Sequence, residues 1–98
     1  MGQESFWKNK KVLVAGGAGF VGSKLVRLLL NQGSTVRVAD NLERGRKENL
    51  REIFDQIDFM QLDLVSFDSC LTATAGMDVC MNLVAKACGL EYSQDHHG

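Results

Sequence analysis

The 98-residue chain has no proline, one tryptophan, one tyrosine and three cysteines, and its apolar runs are only a few residues long. Runs that short exclude a membrane-crossing helix, which needs roughly 20 apolar residues. No charged-then-apolar leader is read at the start, and Phe6 stands where a myristoylation signal beginning at Gly2 calls for Ser or Thr. A soluble, cytoplasmic chain with no membrane partner is expected. Cys70, Cys80 and Cys88 are odd in number and hold no Cys-x-x-Cys pair. That argues against a disulfide framework and a zinc site, leaving reduced thiols and no metal as the expectation. Charge of one sign is also lacking: 11 Lys+Arg against 12 Asp+Glu leave a net charge of −1. A chain without a broad cationic face is not expected to hold a nucleic acid. The length allows one domain, and there is no internal repeat or low-complexity tract.

What is present is ten glycines and a regular alternation of strand-like and helix-like segments. Lys11–Ala15 (KVLVA) is an apolar run suited to a strand buried on both faces. Phe20–Gln32 carries Val21, Leu25, Leu28 and Leu29 at helical spacing, with Gly33 as the stop. Thr35–Ala39 is a second strand, followed by a short charged helix over Lys47–Asp55 whose Leu50, Ile53 and Phe54 face inward. Asp58–Leu62 is a third strand. Ser66 caps a helix that runs to about Ala75 and is closed by Gly76, and Asp78–Leu83 is a fourth strand. Residues 1–10 read as a polar lead-in whose Phe6 and Trp7 pack loosely on the domain edge, and residues 88–98 as a poorly ordered tail.

Strands separated by helices imply right-handed βαβ crossovers, hence an α/β fold with a parallel sheet in the order 3-2-1-4. This is a Rossmann-like sheet with only its N-terminal half present, a partial domain over residues 1–98. The fourth strand would end at a sheet edge, an aggregation liability unless something pairs with it. Either a second copy of the chain or a missing C-terminal part is the expected partner.

The chemistry is concentrated in the turn between the first strand and first helix, GGAGFVG at Gly16–Gly22. Gly17, Gly19 and Gly22 match G-x-G-x-x-G, and Gly16, Gly19 and Gly22 match the related G-x-x-G-x-x-G. In either register the first glycine permits a tight turn and the middle one lets backbone N–H groups approach a pyrophosphate. The last lets helix pack close to strand. The N–H groups of Phe20 and Val21 open the helix there, and its aligned peptide dipoles favour negative charge. A P-loop is excluded because Ser23 precedes Lys24 after Gly22, the reverse of the order that motif requires.

Asp40 closes the second strand 18 positions after Gly22, where an acid meets the adenosine ribose. A carboxylate accepts hydrogen bonds from a ribose diol and repels a 2′-phosphate, so NAD is preferred over NADP. Arg44, Arg46 and Lys47 are the counter-signal, as cations that could pair with a phosphate. Asp63 and Leu64 follow the third strand, where a carboxylate can take the adenine amino group and a backbone N–H a ring nitrogen. Leu83 to Ala87, with Leu83, Val84, Ala85 and Lys86, closes the fourth, where small residues let a cofactor cross toward its nicotinamide. All four strand ends share the edge at which open α/β sheets bind ligands.

With these residues assembled, the chain resembles the N-terminal part of the extended short-chain dehydrogenase/reductases, the family of NAD-dependent nucleotide-sugar epimerases and dehydratases. The resemblance is carried by GGAGFVG, by Asp40-Asn41-Leu42 with Arg44-Gly45, by Asp63-Leu64 and by the DVCMNLVA run, and covers most of residues 11–87. The tail from Asn82 to His97 is most similar to the branch containing GDP-mannose 3,5-epimerase. It departs where the family often has His and paired Ala near Asn82, Val84 and Ala85, and paired glycines near Cys88-Gly89. The resemblance implies Asn41, Leu42 and Arg44 as cofactor contacts beside Asp40. It also implies a complete enzyme that moves a hydride from a sugar carbon to NAD and back, using a Tyr-x-x-x-Lys pair.

That pair is not in this chain. Tyr92 is followed four positions on by His96, and it comes directly after the fourth strand rather than on a later helix, so no catalytic residue is assigned. His96 and His97 read as a frayed polar end, and Cys88 as a plain thiol. Three functions are open: the NAD-binding portion of a nucleotide-sugar epimerase/dehydratase, inactive alone; a non-catalytic NAD-binding regulatory module; and an inactive truncated fragment.

Overall fold

The computed structural model describes residues 6–84 of the 98. Four strands, β1 (Lys11–Ala15), β2 (Thr35–Asp40), β3 (Asp58–Gln61) and β4 (Val79–Asn82), form one sheet in the order β3-β2-β1-β4. Every pairing is parallel, with Val12 opposite Val36 and Val79, and Val38 opposite Phe59. Between the strands run helix α1 (Phe20–Asn31), a 3-10 helix (Lys47–Gln56) and helix α2 (Phe67–Thr74). The expected parallel pairing and strand order are those of the structure.

The central strand β1 is buried from Val12 to Ala15 because both of its faces are covered. Successive side chains of a strand point to opposite faces. Val12 and Val14 accordingly join Val36, Val38 and Leu50 with Val26 and Leu29 of α1, while Leu13 and Ala15 join Ala39, Leu64, Cys70 and Ala73 on the α2 side.

Helix α1 turns its inner face differently from the expected one. Gly22, Ser23, Val26 and Leu29 are buried, whereas Val21 and Leu28 are 67% and 60% exposed. Small residues in the first turn let the helix axis come close to the sheet, and that contact sets the phase, overriding the apolar spacing of Val21 and Leu28. Gly33 ends the helix with φ +89, its N–H donating to the Leu30 carbonyl at 3.0 Å. Around that end the described part of the lead-in is tied down from Trp7 to Lys10, while Phe6 stays exposed as expected. The Ser34 hydroxyl donates to the Trp7 carbonyl at 2.6 Å, the Asn9 N–H donates to the Gly33 carbonyl at 3.0 Å, and Trp7 is half-buried against the core.

In the 3-10 segment Leu50 is fully buried and Ile53 partly so, but Phe54 is exposed, contrary to expectation. Its ring rests on Phe59 with centroids 5.4 Å apart. On the other side, Arg37 links three elements. Its Nε donates to Asp58 Oδ2 at 2.8 Å, and its Nη1 donates to the Ala73 and Ala75 carbonyls at 2.9 Å each. A cation there satisfies the carbonyls left open at the end of α2. Ser66 caps α2 as expected, accepting from the Ser69 N–H. The expectation of three reduced thiols is corrected, since Cys70 is disulfide-bonded and Cys80 is free. No helix among the described residues is long and apolar enough to cross a membrane.

Candidate functional site

Because all four strands run parallel, their C-terminal ends lie along one edge, and the segments singled out in the sequence meet there. Gly16 leaves β1 with φ +86, and a side chain on it would press against Leu83 and Val84, 3.3 and 3.1 Å from the built Cβ. Its N–H donates to the Ala39 carbonyl at 2.8 Å, and the Leu83 N–H donates to the Ala15 carbonyl at 2.9 Å. The segments after β1 and β4 are thus tied to the C-terminal ends of β2 and β1. Ala85 and Lys86 lie outside the described residues.

The three fingerprint glycines differ in what surrounds them. At Gly22 a Cβ would sit 2.3 Å from the Gly16 carbonyl oxygen and 2.8 Å from Gly17 Cα, so the helix start touches the turn backbone to backbone. At Gly17 it would sit 2.8 Å from Val38 Cγ1. At Gly19 the nearest atom is the Gly16 oxygen at 3.5 Å, an ordinary contact, so the missing side chain leaves space open in front of α1. Gly19 is also the N-cap residue, with no side-chain cap. The helix's first internal bond is Ser23 N–H to the Gly19 carbonyl at 2.9 Å, and no acceptor among the described residues takes the N–H of Phe20, Val21 or Gly22. Open space faced by unbonded amides at a helix start is what an anionic group fits.

Asp40 is buried at the end of β2 and organises this turn. Its Oδ2 accepts from the Ala18 N–H at 3.0 Å and its Oδ1 from the Leu42 N–H at 2.8 Å. The second bond holds Leu42 at φ +65, a left-handed conformation that a leucine adopts only under constraint. Asn41 Oδ1 accepts from the Glu43 N–H at 2.9 Å in a tight turn, and Arg44 is exposed. After β3, Asp63 Oδ1 accepts from the Val65 N–H at 3.1 Å, so its carboxylate shapes the turn into α2. Leu64 turns its side chain into the core, which leaves only its backbone for a ligand. The side chains of Phe20 and Val21 face solvent, so their contribution to a site is also through the main chain.

Three participants had no signal of their own in the sequence. The Ala18 carbonyl accepts from the Arg46 N–H at 3.0 Å and from Asn49 Nδ2 at 2.8 Å. Gly45 makes this approach possible, since a Cβ there would lie 2.8–2.9 Å from three atoms of Ala18. Gly45 was visible only as part of the family pattern, and Asn49 sits in a charged segment where asparagine is unremarked. A separate cleft of about 220 Å³ is lined by Lys11, Thr35, Arg37 and Asp58. It opens at the strands' N-terminal ends, opposite the turn. No group of three or more metal-ligating side chains occurs among the described residues.

Residues 12–97 match the model of the NAD dependent epimerase/dehydratase family, and the chain belongs to that family. Among its relatives, GDP-mannose 3,5-epimerase 1 of Oryza sativa subsp. japonica is 30% identical over 97% of this chain and 25% of its own length. UDP-glucuronic acid decarboxylase 2 of Arabidopsis thaliana is 52% identical over 53% of this chain and 12% of its own length. Among solved structures, the Bordetella bronchiseptica enzyme WbmF in complex with NAD+ aligns with a TM-score of 0.70 and 36% identity, over 81% of this chain and 24% of that one. The UDP-glucose 4-epimerase of Thermus thermophilus in complex with NAD aligns with a TM-score of 0.67 and 35% identity, over 79% and 24%. The chain thus spans a quarter or less of the length of these proteins.

Proposed function

We propose that this chain is the NAD-binding portion of a nucleotide-sugar epimerase/dehydratase that works by transient hydride transfer. The observation that carries the proposal is the open space at Gly19, faced by the unbonded amides of α1 and flanked by Asp40. The amides of Phe20, Val21 and Gly22 hold the paired phosphates. A carboxylate has about four lone-pair sites; backbone donors take one on each oxygen of Asp40, leaving acceptor capacity for ribose hydroxyls. Its negative charge disfavours a 2′-phosphate, so NAD is selected over NADP. Asp63, the Leu64 backbone and Asn41, Leu42 and Arg44 frame the adenosine side, and Leu83 to Lys86 the path toward the nicotinamide.

Bound NAD supplies a carbon that accepts a hydride and returns it. The chain's own residues bind and orient that group. No Tyr-x-x-x-Lys pair occurs in the 98 residues, so the proton-transfer groups and the sugar pocket are assigned to further sequence or to a partner, and the chain alone turns over no sugar. The nucleotide-sugar substrate class is supported by relatives such as the two named epimerases. Isothermal titration with NAD tests the proposal. Wild-type chain gives saturable heat and binds NADP more weakly, while Gly19→Val loses NAD binding with an unchanged far-ultraviolet dichroism spectrum. Absence of NAD binding by the wild type, or equal affinity in Gly19→Val, refutes it.

A further inference from the structure

Beyond the glycines and Asp40, one residue at the site, Ala18, is held through the peptide groups on both of its sides. The N–H of Ala18 donates to buried Asp40 Oδ2 at 3.0 Å. Its carbonyl accepts from Asn49 Nδ2 at 2.8 Å and from the Arg46 N–H at 3.0 Å. Ala18 itself is fully buried and immediately precedes Gly19. The segment after β2 comes close enough to do this only because Gly45 lacks a side chain, a Cβ there falling 2.8 Å from the Ala18 carbonyl carbon. Asn49 stands on the 3-10 helix, anchored by fully buried Leu50 beside it.

We infer that Asn49 is a positioning residue for the phosphate-binding turn, placed against that turn by the segment Gly45–Asn49 that follows β2. The physical ground is that a donor on the Ala18 carbonyl fixes the plane of that peptide. That plane sets the direction of the chain entering Gly19 and hence where the first amides of α1 point. An anion site made of backbone amides gains affinity from such preorganisation, since ordering the loop on binding would otherwise oppose it. Asn49 touches no ligand in this scheme. Its effect on phosphate binding passes entirely through Ala18.

This inference rests on the dinucleotide proposal, and the experiment separates the two. ADP and adenosine are titrated into wild-type chain and Asn49→Ala by NMR, and hydrogen exchange of the Ala18 and Gly19 amides is measured without ligand. A positioning role predicts that Asn49→Ala weakens ADP about five- to tenfold, the loss of one hydrogen bond's worth of order, and leaves adenosine within about twofold. It also predicts faster exchange in the free protein at Gly19, whose N–H shares its peptide plane with the Ala18 carbonyl. Asn49→Asp, which sets an acceptor against the Ala18 carbonyl, weakens ADP at least as much. A general loss of structure instead lowers both ligands together, and that result overturns the inference, as does unchanged ADP affinity. If the wild type binds no ADP, the dinucleotide proposal fails. The clamp is then judged by amide exchange alone, and equal exchange in Asn49→Ala overturns it too.

Discussion

Replacing Gly22 with alanine adds one methyl group at the point where helix meets turn, and the structure fixes what that methyl meets. The new Cβ would stand 2.3 Å from the Gly16 carbonyl oxygen, 2.8 Å from Gly17 Cα and 3.1 Å from the Gly16 carbonyl carbon. All three are backbone atoms of a turn whose own position is pinned by Gly16 N–H donating to Ala39, so none can swing aside as a side chain would. Overpacking a well-packed site costs about 1–3 kcal/mol, and immobile neighbours put this case near 3. Against it stands the gain of alanine over glycine in a helix, at most about 1 kcal/mol. The net loss is therefore about 2 kcal/mol, which lowers the melting temperature of a domain this size by roughly 8–16 °C. In urea the midpoint falls by about 2 M for a slope near 1 kcal/mol/M. Gly19→Ala is the matched control: the same methyl meets nothing nearer than 3.5 Å, the backbone φ of −76 suits alanine, and its stability stays within about 0.5 kcal/mol of wild type. Thermal and urea melts of both variants test the pair. A Gly22→Ala melt within about 2 °C of wild type would show that helix and turn separate freely, and the close-packing account of the third glycine would be wrong.

Arg37→Ala removes three charge-assisted hydrogen bonds that join β2, β3 and the end of α2, and about 2–3 kcal/mol of stability is expected to go with them by urea melting, NAD affinity staying intact. Asp40→Ala leaves the Ala18 and Leu42 amides without their acceptors, so it costs about 2–4 kcal/mol of stability and abolishes NAD binding together; a variant with wild-type stability contradicts the observed bonding. Desolvation by its protein surroundings pushes the Cys80 thiol above its ordinary pKa although the residue lies at an exposed position. Iodoacetamide alkylation of native chain at Cys80 should lag behind that of an unfolded Cys80 peptide and catch up only at higher pH. The sign for stability follows: the contribution is full below the unfolded thiol's pKa and is lost as pH rises through the folded one. Equal alkylation rates at every pH exclude the shift.

Strand order, crossovers and the place of the glycine turn were legible because they depend on local pattern. KVLVA can be buried on both faces only in the middle of a parallel sheet, and the structure puts it there. The phase of α1 was not legible. It is set by the close approach of Gly22 to the turn backbone, with Ser23 buried beside it, a tertiary effect that outweighs the apolar spacing of Val21 and Leu28. The pairing of Cys70 was likewise not legible from spacing, since an odd number of cysteines without close pairs describes both bonded and free thiols. Asn49 was missed for a similar reason. Its partner is a main-chain carbonyl 31 positions away, and no periodicity in a charged segment marks one polar side chain as turned inward.

Under the proposed function the acid at the end of β2 has two tasks, and NAD affinity in a variant of that acid does not separate them. Removing the carboxylate loosens the turn whether or not a ribose is bound, so lost affinity in Asp40→Ala reports on both tasks at once. Asn49 holds the carbonyl of the same residue, one peptide group further along the chain, through a neutral amide. Its substitution perturbs the turn while leaving the Asp40 charge in place. Comparing the two variants with a ligand that carries ribose but no phosphate isolates what the carboxylate does to the sugar. If Asp40 serves only as a clasp for the turn, adenosine binds both variants alike. If it also receives the ribose, adenosine affinity falls in Asp40→Ala alone.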